Sequence, residues 1–369
     1  MNTKNYTSFL CKLTILSALA GCNVLSMLTG AKTEINGKDE GDHGPNSSFV
    51  FFMDGSDLKA LNTKDDSIHS VKSGLGTAPQ SVTFFDNHFI FAHDYNLYNY
   101  DPIAGIYNSI LSRAGSIQAA FNNRDGKLYF IDGPGGAGDL CVINSYNDSS
   151  PSCSGSGLDS VQWLMRDFDG NLFACDGTTL STVSSPETAA TIAAVTGSPQ
   201  CVSDTPLFGG GVFGVIVPST DIGNYSNHSG LNTVSGTSPN PINMTHDGKL
   251  FYTDSTTLNL YDSQTNSSNS IASNYFNGPV HSSPEGEYFF ICDDGSDSQV
   301  CRFKDGSLEY ITGFTMGLTG HYLALGPEGF YYFHSAGIEK VYYDGGTDNI
   351  ENGSIGPEFF EINEHEMHN

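Results

Sequence analysis

The chain has 369 residues, 12% of them aromatic, with 15 Lys and Arg against 41 Asp and Glu and a net charge of −26. This excess of acid excludes a nucleic-acid backbone as a partner, because phosphates would be repelled and no basic patch is present to override the repulsion. It leaves open cationic ligands, basic protein surfaces and calcium; acidic turns also keep a Tyr- and Phe-rich β protein soluble.

In chain order, the first feature is Lys4 and Lys12 ahead of the apolar stretch Leu13 to Ala20, too short to span a bilayer but suited to a secretion signal. The stretch ends in Leu19-Ala20-Gly21-Cys22, which resembles the lipobox of bacterial lipoproteins. The resemblance implies a signal peptide over 1–21, removed by cleavage, and acylation of Cys22, with Asn23 implying delivery to the outer membrane. Two or three acyl chains on Cys22 would anchor the protein stably, where one alone binds only marginally. Removing 1–21 takes away Lys4 and Lys12 and no acid, which moves the net charge from −26 to −28. Residues 22–48 are polar and glycine-containing and read as a flexible tether.

From Phe49 onward one phrase recurs, as FVFFMDG at Phe49 to Gly55, DNHFIFAHD at Asp86 to Asp94, RDGKLYFID at Arg124 to Asp132 and DGNLFACD at Asp169 to Asp176. GGGVFGVI at Gly209 to Ile216, DGKLFYTD at Asp247 to Asp254, EGEYFFICDD at Glu285 to Asp294 and EGFYYFHS at Glu328 to Ser335 complete the series. From Asp86 onward the turn positions are 38 to 44 residues apart, the period of stacked supersecondary units. Each acidic-Gly pair predicts a tight turn, and the aromatic and β-branched run behind it a strand. A less polar strand precedes each turn, as in SVTFF at Ser81 to Phe85, and two more strands follow, as in LYNYD at Leu97 to Asp101 and YNSIL at Tyr107 to Leu111.

Four antiparallel strands per forty-residue unit predict an all-β chain, a β-propeller over 49–363 with eight four-stranded blades, or seven if the fifth unit is not a blade. The first unit lacks its innermost strand, and a spare strand, EFFEIN at Glu358 to Asn363, follows the last one. Pairing the two predicts a ring closed by the C-terminal strand, with 364–369 left as a tail. SPEGEYFFICDD at Ser283 to Asp294 is similar to the repeat of TolB-like and WD40-like propellers, and DGNLFACD to that of the NHL and SMP-30-like group. The resemblance implies the propeller superfamily and no particular activity.

Export agrees with the cysteines. Without Cys11 and Cys22 six remain, and they predict the disulfides Cys141–Cys153, Cys175–Cys201 and Cys292–Cys301 in an oxidising compartment. If any pair is redox-active, the tight hairpin bridge Cys292–Cys301 is the candidate. The sequence calls for no cofactor and leaves calcium as the one open. Asp167 and Asp169, and Asp293, Asp294 and Asp297, bring oxygen ligands close together, although Asp-Gly is also an ordinary hairpin turn and the twelve-residue EF-hand pattern is absent. No GxSxG, HExxH, Walker or dinucleotide motif occurs, and the histidines share no common register position.

One register position does recur. Gln80, Gln118, Gln162 and Gln200 begin successive inner strands, and Trp163 adjoins one of them. Inner strands line the axial channel of a propeller, so these amides and this ring are the candidate contacts for a hydroxyl-rich ligand; alternatively they bond blade to blade. Two functions follow. The preferred one is a membrane-tethered, monomeric scaffold that binds a protein or carbohydrate; the other is an exported hydrolase or lyase assisted by calcium in the channel.

Overall fold

The computed structural model describes residues 48–363 apart from short connecting segments, the longer ones being 134–137, 154–160, 167–171, 195–199, 202–211, 227–230, 236–239, 245–248, 294–297 and 312–319. From 185 to 248 it describes backbone strands without their side chains. The expected signal over 1–21, Cys22, the expected tether as far as residue 47 and the tail 364–369 therefore lie outside the described residues, and Ser48, expected to end the tether, opens the first strand.

Local turn chemistry punctuates the chain. Asp86 and Asn87 have φ of 50° and 63°, the paired left-handed conformation of a two-residue hairpin turn that Asn and Asp tolerate. Gly126, at φ 76°, meets the same need after Asp125. Gly329 serves another purpose: a Cβ there would lie 2.1 Å from the Val341 carbonyl oxygen, so the glycine permits close approach of two backbones.

Every regular element among the described residues is a strand. The first sheet contains β1 (Ser48–Asp54), β2 (Asp57–Asn62) and β3 (Ser67–Lys72); the second β4 (Ser81–Phe85), β5 (His88–His93), β6 (Asn96–Asp101) and β7 (Ile106–Ser112). The third has β8 (Ile117–Asn123), β9 (Lys127–Asp132), β10 (Asp139–Ile143) and β11 (Ser152–Cys153); the fourth β12 (Val161–Arg166), β13 (Leu172–Asp176), β14 (Thr179–Ser185) and β15 (Thr188–Ala194). The fifth has β16 (Gln200–Cys201), β17 (Val212–Val217), β18 (Asp221–Ser226) and β19 (Leu231–Ser235); the sixth β20 (Asn240–Met244), β21 (Lys249–Asp254), β22 (Thr257–Asp262) and β23 (Ser267–Ala272). The seventh has β24 (Tyr275–Ser282), β25 (Tyr288–Asp293), β26 (Ser298–Lys304) and β27 (Ser307–Ile311); the eighth β28 (Gly320–Leu325), β29 (Gly329–His334), β30 (Gly337–Tyr342) and β31 (Thr347–Asn352).

All of these are antiparallel, each in simple up-and-down order within its sheet. The last strand, β32 (Ile355–Asn363), crosses to the first sheet and pairs with β1, Phe51 opposite Phe360 and Phe49 opposite Ile362. The leading strand of each sheet lies against its neighbour's: β32 against β4, β4 against β8, β8 against β12, β12 against β16. On the far side β20 packs on β17, β24 on β20, β28 on β24, and β32 on β28.

The core is a series of apolar layers between successive sheets. Phe49, Phe51 and Met53 of β1 pack with Phe84, Phe89 and Phe91 of the second sheet, while Val50 and Phe52 turn the other way, onto Tyr331 and Phe333 of the eighth. In the same manner Phe290 and Cys292 face the sixth sheet and Phe289 and Ile291 the eighth. Side chains alternate along a strand, so covering both faces demands a continuous apolar run rather than an alternating one. That is why each second strand reads FVFFM, FIFA or YFFIC. Each fully buried ring contributes about 1.5–3 kcal/mol.

Candidate functional site

The sites worth testing sit on the rim where the leading strands begin, because the loops entering each sheet, the ends of the second strands and the glutamine series all meet there. Aligning the sheets by register places Asp54, His93, Asp132, Val217, Asp254, Asp293 and His334 at one equivalent position, the last residue of the second strand opposite the first residue of the third. Asp176 ends β13 in the same way. In the sequence the acids among these residues stand out only near the close of the repeated phrase.

At three of these positions, Asp54, His93 and Asp132, the side chain holds the loop that delivers the chain into its own sheet, whereas His334 Nδ1 accepts from Ala336 N in the turn of its own hairpin. Asp54 accepts a 2.9 Å bond from Ser354 N, just before β32, and a 2.8 Å ion pair from Lys59. The bond from Lys59 holds its carboxyl below the usual range, against the raising effect of partial burial. Lys59 also reaches Glu351 on β31 at 2.8 Å. His93, buried, bonds through Nε2 to Thr77 Oγ1 at 3.0 Å, in the segment before β4. Asp132 accepts from Arg113 Nε at 2.5 Å, in the segment before β8. Three different side-chain chemistries thus meet one geometric need.

The glutamines divide. Gln80 precedes β4, and its Oε1 accepts the Asp94 backbone N–H at 2.9 Å. Asp94 O in turn accepts Ile117 N at 2.8 Å, at the head of β8. Gln80 therefore ties its entry loop to a turn of its own sheet, and that turn to the next sheet. Gln118 and Gln162 are the residues skipped in the register of β8 with β9 and β12 with β13. His321 is skipped at the corresponding place in β28, whereas Phe276 in β24 and Ile242 in β20 are skipped deeper in their sheets. These are β-bulges, which at barrel rims re-aim a side chain. His321 thus shares the position of Gln118 and Gln162. Gln200 opens β16, and Trp163 stands opposite Cys175. The side chains of Gln118, Gln162, Gln200, Trp163 and His321 lie outside those described.

The calcium candidates Asp167, Asp169, Asp294 and Asp297 also lie outside the described residues, and Asp293 is described only as the end of β25. Among the described residues, one group of potential ligands is close enough to hold an ion, Asp132 with Cys141 and Cys153. Its two sulfurs are joined to each other, so it offers no thiolate pair. Cys292 is likewise bonded to Cys301; the side chains of Cys175 and Cys201 are not described.

No family profile and no curated protein sequence matches the chain. Solved structures do. The dihydro-heme d1 dehydrogenase NirN aligns over 91% of this chain and 79% of its own with a TM-score of 0.65 and 11% identity. AztD from Citrobacter koseri aligns over 86% of this chain and 97% of its own, with a TM-score of 0.56 and 9% identity. At these identities the likeness carries the fold alone, and the fold is that of a β-propeller.

Proposed function

We propose that this chain is an exported, lipid-anchored β-propeller of eight blades, closed into a ring by β32, whose loop-bearing rim binds a protein or carbohydrate ligand. Support for the ring comes from the eight four-stranded sheets, the pairing of β32 with β1, and the contact of β32 with both β28 and β4. Two disulfides favour an oxidising compartment, and Leu19-Ala20-Gly21-Cys22 supplies the anchor, on the outer membrane of a bacterium. The observation that supports binding is the recurrence of an amide at the bulge that opens successive leading strands, at Gln118 and Gln162, beside entry loops held in place by Asp54, His93 and Asp132. Amides at bulged positions, as at Gln118 and Gln162, can both donate to and accept from sugar hydroxyls without chemistry.

Two measurements test this reading. Expressed in a bacterial host, the protein partitions into detergent with the membranes and Cys22→Ala releases it. On an array of neutral oligosaccharides the soluble domain retains glycans, and Gln118→Ala with Gln162→Ala abolishes that retention. A hydrolytic activity that chelator removes and that Asp167→Asn or Asp294→Asn destroys would replace the binding reading with the calcium-assisted hydrolase.

A further inference from the structure

We infer that Cys141–Cys153 is an exchangeable disulfide, a site for reaction with an external dithiol, and that Arg113 tunes it. The two cysteines face each other directly across β10 and β11. Cys141 is fully buried among Ile117, Leu128 and Phe130, whereas Cys153 is only partly buried at the edge of the same cluster. Arg113 reaches the pair from the loop entering the third sheet: its Nη2 lies 3.7 Å from Cys153 Sγ, and its Nε donates to Asp132 at 2.5 Å. The guanidinium thus spans a carboxylate on one arm and a sulfur on the other. A cation beside a cysteine favours its thiolate, which stabilises the reduced pair and helps the thiolate leave. The other described bridge lacks these features: Cys292 and Cys301 are both fully buried. On this inference the hairpin bridge singled out from sequence spacing is the less exchangeable of the two.

The reaction balances with a dithiol as the reductant. A thiolate of the dithiol attacks the accessible Cys153 Sγ, the disulfide breaks, and Cys141 leaves as a thiolate that takes up a proton in its apolar surroundings. The second thiol of the reagent then attacks its own sulfur in the mixed disulfide, and Cys153 leaves as a thiolate facing Arg113. Two electrons pass to the protein and the reagent closes into a cyclic disulfide. The local consequence is release of β11, which is otherwise held to β10 by only two register pairs, leaving β10 as an unpaired edge.

The test equilibrates the intact exported chain with graded ratios of reduced to oxidised dithiothreitol, quenches with an alkylating mass tag and reads each cysteine by peptide mass spectrometry. Cys141 and Cys153 are expected to be half-tagged at a markedly less reducing ratio than Cys292 and Cys301, while circular dichroism stays native. Arg113→Ala is expected to move the first midpoint to a more reducing ratio by roughly threefold to tenfold and leave the second unchanged. Asp132→Asn, which frees the guanidinium, is expected to shift the first midpoint the opposite way, so a folding defect in either variant is distinguishable from loss of tuning. Reduction of both bridges at one ratio, reduction only upon unfolding, or shifts of the same sign in both variants would overturn the inference.

Discussion

Asp66→Asn perturbs the seam between the eighth sheet and the first, where residues about 270 positions apart share one buried charge. Lys340 has a side chain only 3% exposed, yet its Nζ lies 2.9 Å from both carboxylate oxygens of Asp66 and 3.1 Å from Glu328 Oε2. Tyr331 donates to the same Asp66 carboxylate and to Thr63 O, and the Tyr342 ring centroid is 4.8 Å from Nζ. Asparagine is the informative replacement because Asp66 has φ of 63°, a conformation alanine would resist. Breaking a buried pair costs about 3–5 kcal/mol. Asp66 is one-third exposed and Glu328 remains, so screening and the surviving partner reduce the loss to about 1–2 kcal/mol. Lys340→Met added to Asp66→Asn removes the stranded cation and should recover most of that loss. Urea unfolding followed by near-ultraviolet circular dichroism reads both as midpoint shifts at constant slope. The reasoning is refuted if Asp66→Asn falls within about 0.5 kcal/mol of the parent, or if the double variant is less stable than the single one.

Alkaline pH should unfold the protein through the eighth sheet, on both of its faces. Burial pulls Lys340 down, but its bonds to Asp66 and Glu328 outweigh this and leave its pKa above the ordinary lysine value; burial pushes Tyr332 up to about 12, and burial with the Asp66 bond raises Tyr331 further. Protons kept by the folded chain are lost by the unfolded one from about pH 10 upward, so stability is full below that value and falls as pH rises through the folded pKa values; a flat stability profile from pH 9 to 12 would contradict this. On the acid side Asp54, whose pKa is lowered, contributes stability above the unfolded carboxylate value that disappears as pH falls through the folded one; Asp54→Asn should flatten that limb. Gly329→Ala places a Cβ 2.1 Å from Val341 O and 2.8 Å from Tyr342 Cα, both backbone, and should cost about 3 kcal/mol or more in melting experiments, against near-neutrality for alanine at an open surface position. Asp132→Ala frees the loop before β8, and faster amide exchange at Arg113 and Ile117 is the expected signature, with exchange in the seventh sheet unchanged.

Much of this architecture is legible in the sequence because each blade-sized unit is locally encoded. SVTFF is β4 residue for residue, and KLYFID and KLFYTD are β9 and β21, since turn residues bound short strands whose two covered faces call for unbroken apolar runs. The glycine-rich fifth unit, the weakest repeat, still forms a four-stranded sheet, one of eight among the described residues. EFFEIN is extended backwards to Ile355, across a register shift opposite Met53 that no local pattern announces. The candidate site was less legible for a related reason. The partners of Asp54, His93 and Asp132 come from entry loops of unlike sequence, a serine amide, a threonine hydroxyl and an arginine, so the repeat shows the anchor and not what it holds. A bulge likewise shifts Gln118, Gln162 and His321 into one position without leaving a mark in residue spacing, and the Lys340–Asp66 contact spans nearly the whole chain.

Closure of the ring by the C-terminal strand is the claim on which the proposed scaffold rests, and native-state hydrogen exchange tests it most directly. If β32 completes the first sheet, the amides of 355–363 exchange as slowly as those of 48–54, and both segments lose protection in the same cooperative opening. Exchange of 355–363 within seconds, while 48–54 stays protected, would contradict the closed ring.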